Sequence, residues 1–284
     1  METLFESTRL EDSDFDFIRR LVYEQSRIHL SKDKKTLVSS RLAKRLRQLQ
    51  LGSYREYCDL LRSPAGGEEL RFLIDRISTN HTHFFRETKH FEFLRDTALP
   101  QWLSAHARSK DPLRLWSAAS SSGEEPFSLA IWLAEHLAPA VSGRWLIEAT
   151  DISTRVLGLA GQAIYDTERL RGVTDAMLRR YFQRGVGDRK GQFRVKEELR
   201  QRVHFQHLNL LQPDYPFHVP FDIIFCRNVM IYFDKPTQED LVRRLADKLV
   251  PGGYLMVGHS ESLSGIKHPL RLVQPAIYVK PQSS

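Results

Sequence analysis

The chain has 284 residues, of which 41% are hydrophobic, so it can bury the core of one large domain or two smaller ones. Its formal net charge of +7 favours a polyanionic partner such as nucleic acid, anionic lipid or an acidic protein. Cys58 and Cys226 have no metal-binding spacing, and no apolar run approaches the ~18 residues of a membrane span, so we expect a soluble cytoplasmic protein without direct membrane insertion.

Apolar residues recur at helical spacing from Phe15 to about Ile77, which predicts a small all-helical domain over residues 1–77. Ser53 and Glu56 have the spacing of a capping box and predict the start of one of its helices.

After Arg86 the pattern changes to alternating strands and helices, which predicts an α/β domain with a doubly wound, mostly parallel sheet over residues 78–284. The predicted strands are 113–118, 145–150, 203–207, 221–226, 254–259 and 270–279, and the predicted helices are 90–105, 126–137, 154–163 and 238–249. Because the last two strands leave no room for a crossover helix, an antiparallel strand should lie at or near one edge of the sheet.

Glycines between Tyr181 and Val203 predict the turns of a small antiparallel β-subdomain, inserted into the main domain at about 181–203.

The first predicted strand leads into a loop of small residues that ends in Glu124, Glu125 and Pro126. Small side chains allow a ligand to approach the backbone, whereas the two acids would repel a phosphate, so the ligand should be neutral or cationic there. S-adenosylmethionine fits this description, because it is a sulfonium cation without a phosphate and carries an amino group that Glu124 could hold. Asp151, at the end of the second strand, is placed to accept hydrogen bonds from ribose hydroxyls or, alternatively, to cap the helix that follows.

Three segments of this chain resemble the signature sequences of the CheR family of chemotaxis-receptor methyltransferases: Ser78–Glu87 (STNHTHFFRE), Ala119–Pro126 (ASSSGEEP) and Phe225–Asp234 (FCRNVMIYFD). The resemblance extends from the helical N-terminal region through Gly258–Glu261 to the last strand. It implies a class I (Rossmann-like) methyltransferase fold, S-adenosylmethionine as cofactor, S-adenosylhomocysteine as product, and glutamate side chains of methyl-accepting chemoreceptors as substrate, for adaptation in chemosensory signalling.

The resemblance also implies site residues. Those expected to line the cofactor pocket are Asn80, Thr82, Arg86, Glu124, Asp151, Asn209, Leu210, Arg227 and Asn228. Arg86 and Tyr232 are expected nearest the transferred methyl group, although Tyr232 could instead be a packed aromatic and Arg227 a salt-bridge partner of Asp151 or Glu124. His81 and His83 depart from the family pattern; because no third ligand is evident, we interpret them as loop histidines and expect no metal.

Two surfaces are candidates for receptor binding. Lys34, Arg41, Lys44 and Arg45 form a cationic ridge on the second helix, either a solvated face or the docking surface for an acidic receptor bundle. The inserted β-subdomain, with Gly185, Gly187, Gly191 and Arg194, resembles the part of the family that adds a receptor's C-terminal tethering peptide as an extra strand, although a hairpin without a ligand remains an alternative. We expect a monomer recruited to receptor arrays at the inner membrane.

Two rival functions are weaker. A nucleic-acid amino-methylase would carry Asn/Asp-Pro-Pro-aromatic after the fourth strand, where this chain has Cys226-Arg-Asn-Val. A base-carbon methylase would need a positioned nucleophilic cysteine, whereas Cys226 suits a small buried apolar position better. An S-adenosylmethionine sensor would keep the cofactor pocket but would not need Arg86 and Tyr232, which this chain has. Because the motifs of a nucleic-acid methyltransferase are missing, we expect no nucleic-acid partner.

Overall fold

The chain divides into two compact units in this computed structural model, which describes residues 9–78, 80–137 and 143–282. The first unit comprises Met1–Thr79 with Tyr232–Asp234, and the second comprises Asn80–Ile231 with Lys235–Ser284. The sequence did not predict that three residues from the second half of the chain would group with the N-terminal helices.

The first unit is helical, as predicted. Its helices are α1 (Asp12–Ser26), α2 (Lys35–Gln48), α3 (Tyr54–Arg62) and α4 (Gly66–Ile77). Their apolar faces meet in one core that includes Ile18, Val38 and Leu73, all fully buried. The predicted N-cap is confirmed, because the Ser53 hydroxyl accepts a hydrogen bond from the backbone N–H of Glu56. The return bond differs from a standard capping box, since the Glu56 carboxylate accepts from the backbone N–H of Gly52, one residue before the cap.

The second unit alternates strands and helices. Its strands are β1 (Leu113–Ala118), β2 (Trp145–Asp151), β3 (Ile164–Asp166), β4 (Phe182–Arg184), β5 (Gln192–Val195), β6 (Val203–His207), β7 (Phe221–Cys226), β8 (Leu249–Val257), β9 (Arg271–Gln274) and β10 (Ile277–Val279). Its helices are α5 (Thr88–Phe93), α6 (Leu99–Ala105), α7 (Glu124–His136), α8 (Thr154–Gln162), α9 (Asp175–Tyr181), α10 (Glu197–Arg200) and α11 (Lys235–Asp247). No helix in the described ranges is long and apolar enough to cross a bilayer.

The main sheet has seven strands in the order β6-β2-β1-β7-β8-β10-β9. Strands β6, β2, β1, β7 and β8 pair in parallel, whereas β10 pairs antiparallel with both β8 and β9. The predicted antiparallel strand near one edge is therefore confirmed. Buried apolar residues such as Leu115, Ile147 and Ile223 fill the centre of the sheet.

The end of the chain differs from the prediction. The single strand expected over 270–279 is a hairpin, because Pro275 has no N–H to donate and Ala276 adopts a left-handed conformation with φ 66°. The preceding strand begins at Leu249 rather than at residue 254, with the Gly252–Gly253 pair inside its irregular first half.

A second sheet forms the β-subdomain in the order β3-β5-β4, and all its pairings are antiparallel. Strands β4 and β5 lie within the predicted 181–203 segment, but β3 lies outside it. The sequence missed β3 because it is only three residues long and follows α8 almost directly.

Candidate active site

The candidate site begins in the loop between β1 and α7, at the carboxyl end of β1, where ligands bind in open α/β sheets. Ala119, Ser121 and Gly123 all have positive φ values, 66°, 51° and 94°. A side chain at Gly123 would be strained, and its Cβ would lie 2.8 Å from the Tyr165 hydroxyl. Backbone conformations of this kind persist where the surroundings hold them, typically at ligand sites.

Asp151 holds this loop in place from the end of β2. Its carboxylate accepts hydrogen bonds from the backbone N–H of Ser121 at 2.8 Å and from that of Ser153 at 2.9 Å. The N-cap of α8 is Ser153, whose hydroxyl accepts from the N–H of Val156, so the alternative interpretation of Asp151 as the helix cap is wrong.

Two buried polar atoms beside the loop have no partner among the described residues: the Asn80 side-chain nitrogen and the Ser120 hydroxyl. The backbone oxygen of Asn80 accepts a hydrogen bond from the Ser121 hydroxyl at 3.2 Å, which connects the two segments. A buried polar group without a partner costs about 1–3 kcal/mol, so a polar ligand that pairs with these atoms would stabilise the site. They fit a nucleoside with an amino-acid tail.

Glu124, the first residue of α7, is fully buried. Its carboxylate accepts a hydrogen bond from the Ser122 hydroxyl at 2.8 Å and forms an ion pair with Arg169. Burial raises the pKa of Glu124, and the Arg169 guanidinium opposes that shift. The carboxylate expected to hold the cofactor's amino group thus already has a cationic partner, which no sequence motif indicated.

Arg227, at the end of β7, is buried and fully paired. Its guanidinium lies 3.0 Å from Glu87 and 3.0 Å from Glu125, and it donates a hydrogen bond to the backbone oxygen of Arg86 at 2.5 Å. The alternative partners considered for Arg227, Asp151 and Glu124, are therefore wrong. Burial raises the pKa of Glu87, but Arg227, the backbone N–H of His259 and the nearby imidazoles together outweigh this effect, so that the pKa is lowered overall.

Arg86 is differently placed from Arg227. It lies in a turn in which both neighbours, Phe85 and Glu87, have left-handed φ values of 53° and 60°. Its half-exposed side chain donates a hydrogen bond to the backbone oxygen of His81 at 3.1 Å. Within the described residues no carboxylate pairs with it within 4.0 Å. Thr82, also half-buried, lies in the same loop.

Asn228 is held by a residue that the sequence did not single out as functional. Its backbone N–H donates to the Glu261 carboxylate at 2.7 Å, and the same carboxylate accepts from the N–H groups of Met230 and Gly258. Asn228 has φ 57°, and a Cβ at Gly258 would lie 2.4 Å from its side-chain nitrogen. The segment Gly258–Glu261 therefore packs against Asn228 and fixes its backbone.

Asn209 and Leu210 follow β6. The Asn209 side-chain oxygen accepts a hydrogen bond from the N–H of Leu211 at 3.0 Å, and Leu210 is buried. The preceding residue, Leu208, donates its N–H to the backbone oxygen of Asp151 at 3.0 Å, so this segment is attached to the end of β2.

Tyr232 belongs to the first unit, where its backbone oxygen accepts a hydrogen bond from the N–H of His29 at 3.0 Å. Its predicted position beside the methyl group stays a prediction.

One cluster in the described chain has metal-ligand residue types: Glu87, His90 and His259, with ligand atoms within 4.8 Å of one another. The Arg227 guanidinium already pairs with Glu87, so a cation occupies the carboxylate that a metal would need. Burial lowers the pKa of His90 to about 3, and this imidazole is neutral. His81 and His83 are not part of the cluster.

Two of the four residues of the predicted cationic ridge make contacts within the first unit. Arg45 forms an ion pair with the buried Glu69 at 2.6 Å, and Arg41 donates to the last carbonyl oxygens of α4, at 2.5 Å for Ile77. Lys34 and Lys44 are exposed.

The β-subdomain contains an open pocket of ≈ 330 Å³. It is lined by Ile164, Gln183, Arg184, Gly185, Arg189, Gln192 and Arg194. Gly185 is required there, because a Cβ would lie 2.1 Å from the backbone oxygen of Arg189. Gly187 and Gly191 have φ values of 58° and 89° and shape the turn between β4 and β5.

The strand order, with one antiparallel strand next to the edge and the small-residue loop after β1, defines a class I S-adenosylmethionine-dependent methyltransferase. The chain belongs to the CheR methyltransferase family: residues 13–78 match its all-alpha domain and residues 80–279 its SAM-binding domain. It is 43% identical over 274 residues to the chemotaxis protein methyltransferase of Escherichia coli K12, covering 96% of this chain and 92% of the relative. It is 45% identical over 268 residues to chemotaxis protein methyltransferase 2 of Pseudomonas aeruginosa, covering 93% and 92%.

Proposed function

We propose that this protein transfers the methyl group of S-adenosylmethionine to the side-chain carboxylate of specific glutamates on chemoreceptors, giving methyl esters. The contrast between two arginines supports a carboxylate acceptor. Arg227 is neutralised by Glu87 and Glu125, whereas Arg86, whose backbone Arg227 holds, has no carboxylate partner in the described chain and is half-exposed. Arg86 is therefore available to orient an incoming carboxylate.

The cofactor supplies an electrophilic methyl group on a sulfonium when it is bound. Asn80 and Ser120 offer it polar atoms that have no partner in the described part of the chain, and Asp151 keeps the β1–α7 loop in position. Asn228 presents its side chain from the loop that Glu261 fixes. These residues, with Thr82, Asn209 and Leu210, would hold the nucleoside and amino-acid parts. Positive φ values in the β1–α7 loop and at Asn228 bring the backbone of these two segments close to the expected position of the cofactor.

The acceptor needs no general base, because a glutamate with a reference pKa of ~4.3 is already ionised at neutral pH. The imidazole nearest Arg86 in sequence is unsuited to that role in any case: burial and Arg86 lower the pKa of His83. The protein's contribution is alignment of the carboxylate oxygen with the methyl carbon, which can be worth about 7–11 kcal/mol. A loose contact with Arg86 suits this purpose, since a tight pair would reduce the nucleophilicity of the carboxylate.

The receptor partner is supported by charge. An acidic helical bundle would meet the exposed Lys34 and Lys44, while Arg41 and Arg45 would act mainly by holding α2 against α4. A tethering peptide with an acidic C-terminal end would suit the β-subdomain, whose pocket carries Arg184, Arg189 and Arg194 and whose edge strand β4 can accept main-chain hydrogen bonds.

The test of the tether is a fluorescence-anisotropy titration with a short acidic peptide that has a free C-terminus. Arg194→Ala should weaken binding at least about tenfold, and Arg179→Ala, an exposed arginine on α9, should leave it unchanged. Equal affinities for both variants would remove the β-subdomain as the peptide site.

The test of the reaction is incubation of the purified protein with methyl-labelled S-adenosylmethionine and receptor-containing membranes. Label on the receptor should be released as methanol by mild base, because esters hydrolyse whereas N-methyl and C-methyl products do not. Arg86→Ala should retain S-adenosylhomocysteine binding and lose methylation, while the exposed control Arg108→Ala should retain both. Base-stable label, or full activity of Arg86→Ala, would contradict the proposal.

A further inference from the structure

The Arg169 side chain contacts the loop between β1 and α7, here called the cofactor loop, although Arg169 itself belongs to a different part of the chain. It lies in the short 3₁₀ turn Thr167–Leu170, directly after β3 of the β-subdomain. Its guanidinium donates to the Ser122 hydroxyl, pairs with the Glu124 carboxylate and lies 5.6 Å from the ring centroid of Tyr165.

Both oxygens of Glu124 are engaged. One pairs with Arg169, and the other accepts from Ser122, which Arg169 also contacts. The Glu124 side chain has 0% exposure, whereas that of Arg169 is 36% exposed. A second cation can therefore reach Glu124 only if Arg169 moves, and Arg169 is near enough to solvent to be rehydrated when it does. Burial raises the pKa of Glu124, and the Arg169 guanidinium opposes that shift.

The loop itself does not depend on Arg169. The Tyr165 hydroxyl donates to the backbone oxygen of Ser122 at 2.9 Å, and Asp151 accepts from the N–H of Ser121 at 2.8 Å. Release of Arg169 from Glu124 thus requires a side-chain movement rather than a rearrangement of the loop.

We propose that Arg169 is an internal competitor for the amino group of the bound cofactor at Glu124, so that cofactor binding exchanges one cation for another. The inference rests on the proposed placement of that amino group at Glu124. The exchange makes Arg169 a specificity-determining residue, because only a ligand with a cationic amino-acid tail can displace it. It also makes the affinity for the cofactor lower than Glu124 without Arg169 would give. It also connects the cofactor loop to the β-subdomain, since β3 leads into the turn that carries Arg169.

The experiment is calorimetric titration with S-adenosylhomocysteine, which has the amino group, and with 5′-methylthioadenosine, which lacks the whole amino-acid tail. Arg169→Met should tighten S-adenosylhomocysteine binding about tenfold, roughly the net value of one charge-assisted hydrogen bond, and leave 5′-methylthioadenosine binding unchanged. Arg169→Lys, which keeps a cation, should behave more like the natural protein. Arg155→Met, an exposed arginine on α8, is the matched control.

A pH series and a double variant sharpen the test. In Arg169→Met the affinity for S-adenosylhomocysteine should depend more strongly on pH than in the natural protein, because the guanidinium that opposes the burial-driven rise in the pKa of Glu124 has been removed. In a Glu124→Gln background, Arg169→Met should have no effect on binding. Weaker binding of both ligands to Arg169→Met would make Arg169 a structural support of the loop and overturn the proposal, as would unchanged affinity.

The two proposals fail in distinguishable ways. If the natural protein binds S-adenosylhomocysteine and methylates receptors but Arg169→Met binds no tighter, the exchange is wrong and the proposed function stands. If the natural protein binds no S-adenosylhomocysteine, both are overturned.

Discussion

The Glu261 carboxylate accepts a hydrogen bond from the backbone N–H of Asn228 at 2.7 Å. The same carboxylate accepts further bonds from Met230 at 2.8 Å and from Gly258 at 2.6 Å. A buried carboxylate with several N–H donors fixes the backbone around it, because each donor would otherwise be left without a partner. Glu261 is therefore a positioning residue for the loop that presents Asn228.

Glu261→Gln is expected to impair both the loop and cofactor binding. The amide has one oxygen and an NH₂ group that cannot accept the same bonds, so at least one backbone N–H loses its partner, at about 1–3 kcal/mol. Urea denaturation should show that loss, and the Kd for S-adenosylhomocysteine should rise about tenfold or more. Glu24→Gln, an exposed glutamate on α1, should change neither quantity. Natural stability and affinity in Glu261→Gln would mean that the loop is held by other contacts.

Arg227 and Arg86 should differ in how much each contributes to the free energy of unfolding. Arg227→Met leaves Glu87 and Glu125 without their counter-charge, and breaking a buried ion pair in this way costs about 3–5 kcal/mol. Arg86→Met removes a side chain bonded to one backbone oxygen, which should change the free energy of unfolding by no more than about 0.5 kcal/mol. Both are measured by urea denaturation at pH 7. Similar losses in the two variants would refute the distinction between a structural and an orienting arginine.

Neither cysteine should react in the folded protein. Both are fully buried; burial raises the pKa of Cys58 to about 12 and that of Cys226 well above its usual value. Since the thiolate is the reactive form, a thiol reagent at pH 8 should label the native protein with less than about one-tenth of the yield seen after denaturation. Rapid native labelling of Cys226 would revive the interpretation of this residue as a nucleophile of a base-carbon methylase.

The parallel core and the helical unit could be predicted from sequence because hydrophobic periodicity is a local signal. The strands at 113–118, 203–207 and 221–226 match β1, β6 and β7, and the Ser53 N-cap was recognised from two residues. Strand β3 could not be recognised in the same way: it has three residues, and only its pairing with β5 makes it a strand. The β9–β10 turn was missed because Ala276 carries no preference for a left-handed conformation.

The site shows the same limit. The motifs pointed to Arg86, Glu124, Arg227 and Asn228, since each belongs to a contiguous signature, and Asp151 was singled out by its position at the end of a predicted strand. The partners of these residues are distant in sequence: Arg169 lies 45 positions from Glu124, and Glu261 lies 33 positions from Asn228. Such pairs are created by the packing of loops at the sheet's carboxyl edge, and one sequence contains no signal for them. The contacts of Arg41 and Arg45 with α4 were likewise not visible in the sequence.

His90 should make the protein sensitive to acid. This fully buried imidazole faces Glu87 at 3.6 Å, the ring of His259 and the edge of Phe225, and Arg227 adds positive charge. Burial and then Arg227 lower its pKa to about 3 from the 6.5 of an unperturbed imidazole. Between these values the unfolded chain binds a proton that the folded protein does not, so the stability that this histidine permits at pH 7 is lost as the pH falls through 6.5 toward 3. Integrated from pH 7 to pH 5, the loss is about 2 kcal/mol.

The measurement is the free energy of unfolding in urea at pH 7, 6 and 5 for the natural protein and for His90→Leu, which cannot be protonated. The difference between the two proteins should shift by about 2 kcal/mol in favour of His90→Leu over that range. His136→Gln, an exposed histidine at the end of α7, should follow the natural protein at every pH. Parallel curves for the natural protein and His90→Leu would show that the imidazole is protonated in the folded state, with Glu87 as its counter-charge.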